Sequence, residues 1–264
     1  MAALAIFGIT GRMGQSLVRA LRETPALTLS GAIASAQSPR LGLDAAADGA
    51  PTGVLITSDP SSGVRGASVA VDFSPGSCVA AHALACAAAG IPILIGATGL
   101  NAANRADLAQ AARHVAVLIA PNTSVGVSVV AQLVSMAASR LGPSYDVEIF
   151  EAHHRMKRDA PSGTALALGE AVAGARGRDL EEVAIYDRTG QGAPRTPSSI
   201  GFSSLRAGDI VGEHTVTFAA AGERVEITHR ATDRITFARG ALRAAEWLVG
   251  QPAGLYGMQN VLGL

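Results

Sequence analysis

A short apolar run, Ala3 to Ile9, passes into Gly8-Ile9-Thr10-Gly11-Arg12-Met13-Gly14, after which Met13, Leu17 and Leu21 recur four residues apart. A strand, a glycine turn and a helix in that order constrain the fold more than any other stretch, because this is how a dinucleotide-binding β/α unit opens. The spacing is Gly-x-x-Gly-x-x-Gly, with Thr10 in the middle position of the commoner Gly-x-Gly-x-x-Gly pattern. The glycines keep their separate uses all the same. Gly8 permits the tight turn, Gly11 lets a pyrophosphate approach the backbone, and Gly14 lets helix pack closely on strand.

The β/α alternation continues. Strands are expected at Leu27 to Ile33, Ala67 to Phe73, Ile91 to Ile95 and Val115 to Ile119, and helices at Cys78 to Ala89, Asn101 to His114 and Val125 to Leu141. Small-residue turns follow the later strands, Gly96-Ala97-Thr98-Gly99 and Ala120-Pro121-Asn122-Thr123-Ser124. Open parallel sheets bind ligands beyond the carboxyl ends of their strands, so the three turns point to one nucleotide site. After the second strand comes Ala34-Ser35-Ala36, with no acid to bind a ribose 2′-hydroxyl; Arg40, read mainly as a solvated loop residue, is the nearest group for a 2′-phosphate. NADPH and NADH both remain open.

Beyond Leu141 the character changes. An alternating run from Tyr145 to Ile149 precedes Glu151-Ala152-His153-His154-Arg155-Met156-Lys157-Arg158-Asp159-Ala160-Pro161-Ser162-Gly163-Thr164, which opens a helical stretch over 162–175. His153, His154 and Lys157 are expected in the strand-to-helix loop, just before a helix N-terminus capped by a hydroxyl residue. Such an end suits an anion, so two imidazoles and an ammonium there suggest protonation of a carboxylate-bearing substrate. Lys157 is the one lysine among 21 basic residues. A chain so biased to arginine has placed a compact, proton-donating ammonium at this point. A loop around Gly190 to Pro194 then leads to Ile200 to Leu205, Glu213 to Ala219 and Arg224 to His229, which alternate like antiparallel strands of a second, α+β domain. Thr236 to Val249 reads as the final helix, and the apolar tail from Gly254 to Leu264 is expected to dock on a core.

A formal net charge of zero gives no general attraction to nucleic acid or to an anionic membrane. Cys78 and Cys86 are eight apart on one helical stretch, about 12 Å, which is too far for a disulfide. The uncharged run from Phe73 to Asn104 is broken by Gly90 and Pro92, as a buried helix and strand would be, and not as a membrane span. With no basic segment ahead of the first strand, the expectation is a cytoplasmic protein without a signal peptide. No metal site is expected.

These residues resemble one family, the dihydrodipicolinate reductases. The resemblance rests on residues 8–14, on 96–99, on Ala120-Pro121-Asn122-Thr123-Ser124-Val125-Gly126-Val127, on 151–165, and on the ending from His229 to Ala241 with Gly254 to Met258 after it. It implies an α/β fold: a Rossmann-type dinucleotide-binding domain from both chain ends (1–124 and 235–264) and a smaller α+β domain between them (125–234) for substrate binding and oligomerisation. Implied too is NAD(P)H-dependent reduction of 4-hydroxy-tetrahydrodipicolinate to tetrahydrodipicolinate, in lysine and diaminopimelate biosynthesis, by a cytoplasmic homotetramer. Gly8, Ile9, Thr10, Gly11, Arg12 and Met13 would hold the pyrophosphate. Gly96, Ala97, Thr98, Ala120, Pro121, Asn122 and Thr123 would line the nicotinamide side. His153 would donate the proton, Lys157 would be the second donor, and His154, Gly163 and Thr164 would bind substrate carboxylates. Ser35 and Thr123 depart from residues common in the family and bear on cofactor preference. Rival readings are a reductase of another cyclic imine or semialdehyde, and a nucleotide-sensing protein without turnover.

Overall fold

The structure is a computed structural model and describes residues 1–264 except Gln191 and Ala193. Part of the loop expected at Gly190 to Pro194 therefore lies outside the described residues. In chain order the elements are β1 (Ala2–Phe7), α1 (Arg12–Leu21), β2 (Leu27–Ile33), β3 (Ile56–Thr57), α2 (Pro60–Gly63), β4 (Val69–Asp72), α3 (Val79–Ala89), β5 (Ile93–Ile95), α4 (Ala102–Ala111), β6 (Ala116–Ile119) and α5 (Val125–Leu141). Then come β7 (Asp146–His153), α6 (Gly163–Ala175), α7 (Leu180–Val183), β8 (Ala184–Ile185), β9 (Ile200–Arg206), β10 (Gly212–Ala220), β11 (Glu223–Ala231), α8 (Ile235–Leu248), β12 (Gly254–Tyr256) and α9 (Met258–Leu262). They form two compact units, Met1–Val125 with Arg234–Leu264, and Gly126–Asp233.

The first unit is a seven-stranded sheet in the order β12-β6-β5-β4-β1-β2-β3, parallel at every pairing. Its strands are short apolar runs because both faces are covered, and successive side chains feed two cores. Leu4 and Ile6 pack with Leu94, Leu118 and residues of α1 and α8, while Ala5 and Phe7 pack with Ile93, Ile95 and residues of α3 and α4. The chain leaves β1 toward β2 on one side and returns to β4 on the other, so the winding reverses between β1 and β4. In such sheets that reversal opens the ligand crevice. The helix at 235–248 is not the last element: β12 joins the sheet edge beside β6, and Met258 and Val261 of α9 are buried. Among the described residues, no helix is long and apolar enough to cross a membrane, and both cysteines are free thiols.

The second unit is a five-stranded mixed sheet, β11-β10-β7-β9-β8. One face carries Val147, Ile149, Val216, Phe218 and Phe202, packed with Val134 of α5 and Leu168 and Val172 of α6. The three strands expected to be antiparallel are so only in part. β10 runs antiparallel to β7 and β11, but β9 runs parallel to β7. Alternation marks a half-buried strand and carries no direction; the crossover through α6 and α7 sets the direction of β9.

Candidate active site

At the β1 turn Gly8 adopts φ +73°, which an L side chain resists. A Cβ on Gly14 would sit 2.5 Å from the Gly8 and Ile9 carbonyl oxygens, so only glycine lets α1 approach this closely. Gly11 is the N-cap of α1 and offers no side-chain cap; no acidic residue occupies the first turn. The helix end is thus left for an outside acceptor, which fits a dinucleotide's pyrophosphate. Thr10, Gly11 and Arg12 are exposed there. Ile9 is fully buried and offers only its backbone at this turn, and Met13 is half-buried and packs on the core.

The turns at 96–99 and 120–124 lie at the carboxyl ends of β5 and β6, on the same sheet edge. Gly96 and Ala97 are buried, Thr98 and Pro121 are exposed, and Ala120 is tied to the Ile95 carbonyl through its amide. Asn122 accepts the Ser124 amide at 2.9 Å. Thr123 is 1% exposed and its hydroxyl donates to the Phe237 carbonyl at 2.7 Å, which makes it a tie between the β6 turn and α8. The sequence reading missed the turn after β4. There Asp72, fully buried, accepts the Ser74 amide at 2.7 Å and meets His82 Nδ1 at 2.8 Å. This holds the Phe73–Ser74 backbone against Gly8 and the Phe73 ring over Gly96. After β2, Ser35 donates its hydroxyl to Gln37. Arg40 is not the solvated side chain expected: its Nη2 donates to the Asp44 and Ala46 carbonyls at 2.8 and 2.7 Å.

In the second unit, His153 is the last residue of β7 and not a loop residue. The strand runs past its apolar part because Ala152 and His153 still find partners, Glu213 on β10 and Arg206 on β9. Glu151 and His153, two apart, point to the same face. Glu151 is 1% exposed and accepts His153 Nδ1 at 2.6 Å, Arg206 Nη1 and Nη2 at 2.8 and 2.6 Å, and the Ser162 amide at 3.1 Å. Burial pushes its carboxyl up, but the hydrogen bonds from Arg206, Ser204 and His153 outweigh that and hold it down at about 2. The His153 imidazole is held below its ordinary value by burial, against the opposing pull of Glu151.

Ser162 caps α6 by accepting the Ala165 amide at 3.1 Å, and its hydroxyl meets His214 Nε2 at 2.9 Å. His214 is 4% exposed, and burial takes it down to about 4, so it is neutral at pH 7. The first turn of α6 contains no acid. Gly163 is exposed at its start and Thr164 is half-buried. His154 is half-buried, and Lys157 pairs with Asp159 at 2.8 Å. One end of the second unit therefore holds a carboxylate-bound imidazole, an ammonium and a helix N-terminus together. The Glu151–His153 pairing had a signal in the sequence, a period of two. Arg206 and His214, 55 and 63 residues beyond Glu151 in the numbering, had none.

Residues 2–123 match the family model described as dihydrodipicolinate reductase, N-terminus, and residues 126–262 match its C-terminus. A protein of Anaeromyxobacter dehalogenans named 4-hydroxy-tetrahydrodipicolinate reductase is 52% identical, over 100% of this chain and 98% of its own. One of the same name from Herminiimonas arsenicoxydans is 49% identical over 99% and 98%. A dipicolinate-bound dihydrodipicolinate reductase from Paenisporosarcina sp. TG-14 shares the fold, with a TM-score of 0.76 at 24% identity over 98% of this chain and 99% of that one.

Proposed function

The chain belongs to the dihydrodipicolinate reductase family, and from that premise we propose how its own residues carry out NAD(P)H-dependent reduction of 4-hydroxy-tetrahydrodipicolinate. The observation that carries the reading is His153, bound through Nδ1 to a buried carboxylate beside the N-terminus of α6. Loss of the 4-hydroxyl as water would leave the unsaturated dihydrodipicolinate ring, and a nicotinamide nucleotide, when bound, would supply a hydride to its C4. The turns at Gly8 to Met13, Gly96 to Thr98 and Ala120 to Thr123 would hold that nucleotide, Thr123 through its backbone. His153 protonates C3, and Lys157 acts as second donor and stabilises charge developing on the ring nitrogen and its carboxylate. His154, Gly163 and Thr164 bind the substrate's carboxylates at the helix end.

Ser35 and Gln37, bonded to each other, give a ribose 2′-hydroxyl no carboxylate, and Arg40 is folded back on its own loop. This supports use of both NADPH and NADH. The second sheet leaves Phe150 and Leu205 more than 40% exposed on the face opposite its helices, which supports self-association there; the proposed assembly is a cytoplasmic homotetramer. The test is loss of nicotinamide absorbance with substrate made in situ from pyruvate and aspartate semialdehyde by the preceding synthase. Synthase-dependent oxidation is expected, at comparable rates with the two nucleotides. Silence from folded protein that binds them would assign the second unit to another substrate.

A further inference from the structure

Glu151 stands between the two functional parts of the second unit. Its Oε2 accepts His153 Nδ1, and its Oε1 accepts the amide of Ser162, the N-cap of α6. Arg206 spans both oxygens in a fork and anchors itself on the Leu205 and Asp159 carbonyls at 2.7 and 2.6 Å. We propose that Glu151, clamped by Arg206, is the positioning residue of this site, setting the tautomer of His153 and the place of the α6 N-terminus with a single carboxylate. The inference rests on the reading of His153 as proton donor and deepens it.

An ionised carboxylate accepts and does not donate, so Nδ1 must carry a hydrogen whether the imidazole is neutral or charged. The proton that enters and leaves His153 is then always the one on Nε2. That edge makes no hydrogen bond among the described residues and looks onto Gly212, where an added Cβ would sit 3.1 Å from it. Were Glu151 protonated or absent, the opposite tautomer would place the mobile proton on the buried edge. Arg206 prevents this by keeping a carboxylate that is 1% exposed ionised.

The charged and titratable groups facing His153 come from several elements. Glu151 is on its own strand, Arg206 on β9 and Lys157 in the loop after β7; His214 of β10 lies edge-on at 5.2 Å between ring centroids. Burial, Lys157 and Arg206 all disfavour the imidazolium, and Glu151 is the group that favours it. Removing the carboxylate charge must therefore move the titration of His153 toward acid.

Side-chain ¹⁵N NMR of the full-length protein tests the tautomer directly. In the native protein His153 is expected to be protonated at Nδ1 on the basic side of its titration. In Glu151→Gln the oxygen stays with the Ser162 amide and the new NH₂ faces Nδ1. The tautomer then switches to Nε2–H, kcat falls about 10²–10⁴-fold, and the basic limb of the kcat profile moves to lower pH. Native His153 found as the Nε2–H tautomer would overturn the proposal without any variant. So would a folded Glu151→Gln protein with Nδ1 still protonated and the limb unmoved. His153→Gln, run alongside, separates the failures. Full turnover in that variant ends the proton-donor reading; its loss beside an unshifted Glu151→Gln limb ends this inference alone.

Discussion

His153 and Lys157 are both cationic donors in the proposed chemistry, but the structure gives them different surroundings. His153 is nearly buried and backed by Glu151; Lys157 is 21% exposed and paired with a mostly exposed Asp159. His153→Gln removes a positioned general acid and should lower kcat about 10²–10⁴-fold with little change in nucleotide affinity, readable by steady-state kinetics beside a nucleotide titration. Lys157→Arg keeps the charge but brings a larger group that holds its proton, so it should fail to restore turnover. Kinetics equal to the native enzyme in that variant would reduce the lone lysine to a surface charge. Because His153 must be protonated to donate and burial holds its pKa down, kcat should decline as pH rises through that depressed value. The two proposed donors stand out in the sequence because their types and spacing are local. Their energetic setting could not, since Arg206 comes from another strand.

Among the elements, α1 and α6 present their N-termini for different reasons. At α1 a bare glycine cap leaves the helix end to an outside acceptor. At α6 the cap is filled, and its hydroxyl also satisfies His214. Ser162→Ala should then do more than remove a cap, since it leaves His214 Nε2 buried without that partner. A loss of about 1–3 kcal/mol is expected in urea unfolding, together with a higher KM for the dicarboxylate substrate. Unchanged stability would mean that water or a shift of α6 replaces the hydroxyl. The helix start was legible as Pro-Ser-Gly-Thr before an apolar run. The end of β7 was not, because Glu151 and His153 look like loop residues until β9 and β10 pair with them on both sides.

For the molecule as a whole, buried titratable groups set the response to acid. His214 has a folded pKa of about 4 against an ordinary 6.5. Between those values the unfolded chain binds more protons, so stability falls as pH falls from about 6.5 to 4, by up to about 3 kcal/mol from this group. Glu151, held at about 2 from 4.5, contributes stability that is present above pH 4.5 and lost as pH drops toward 2. The melting temperature should therefore decline steadily on acidification below pH 6.5, and His214→Gln should flatten the upper part of that decline. An unaltered slope in that variant would transfer the effect to other groups. The sequence by itself determined the β/α order and the glycine turn, and it singled out His153 and Lys157 as candidate donors, because periodicity, turn chemistry and side-chain type act over a few residues. Tertiary structure alone decided the parallel setting of β9, the reversal between β1 and β4, and the Glu151–Arg206–His214 surroundings of His153. These depend on which distant strands come to lie side by side, and burial gives such contacts their weight only after they have done so.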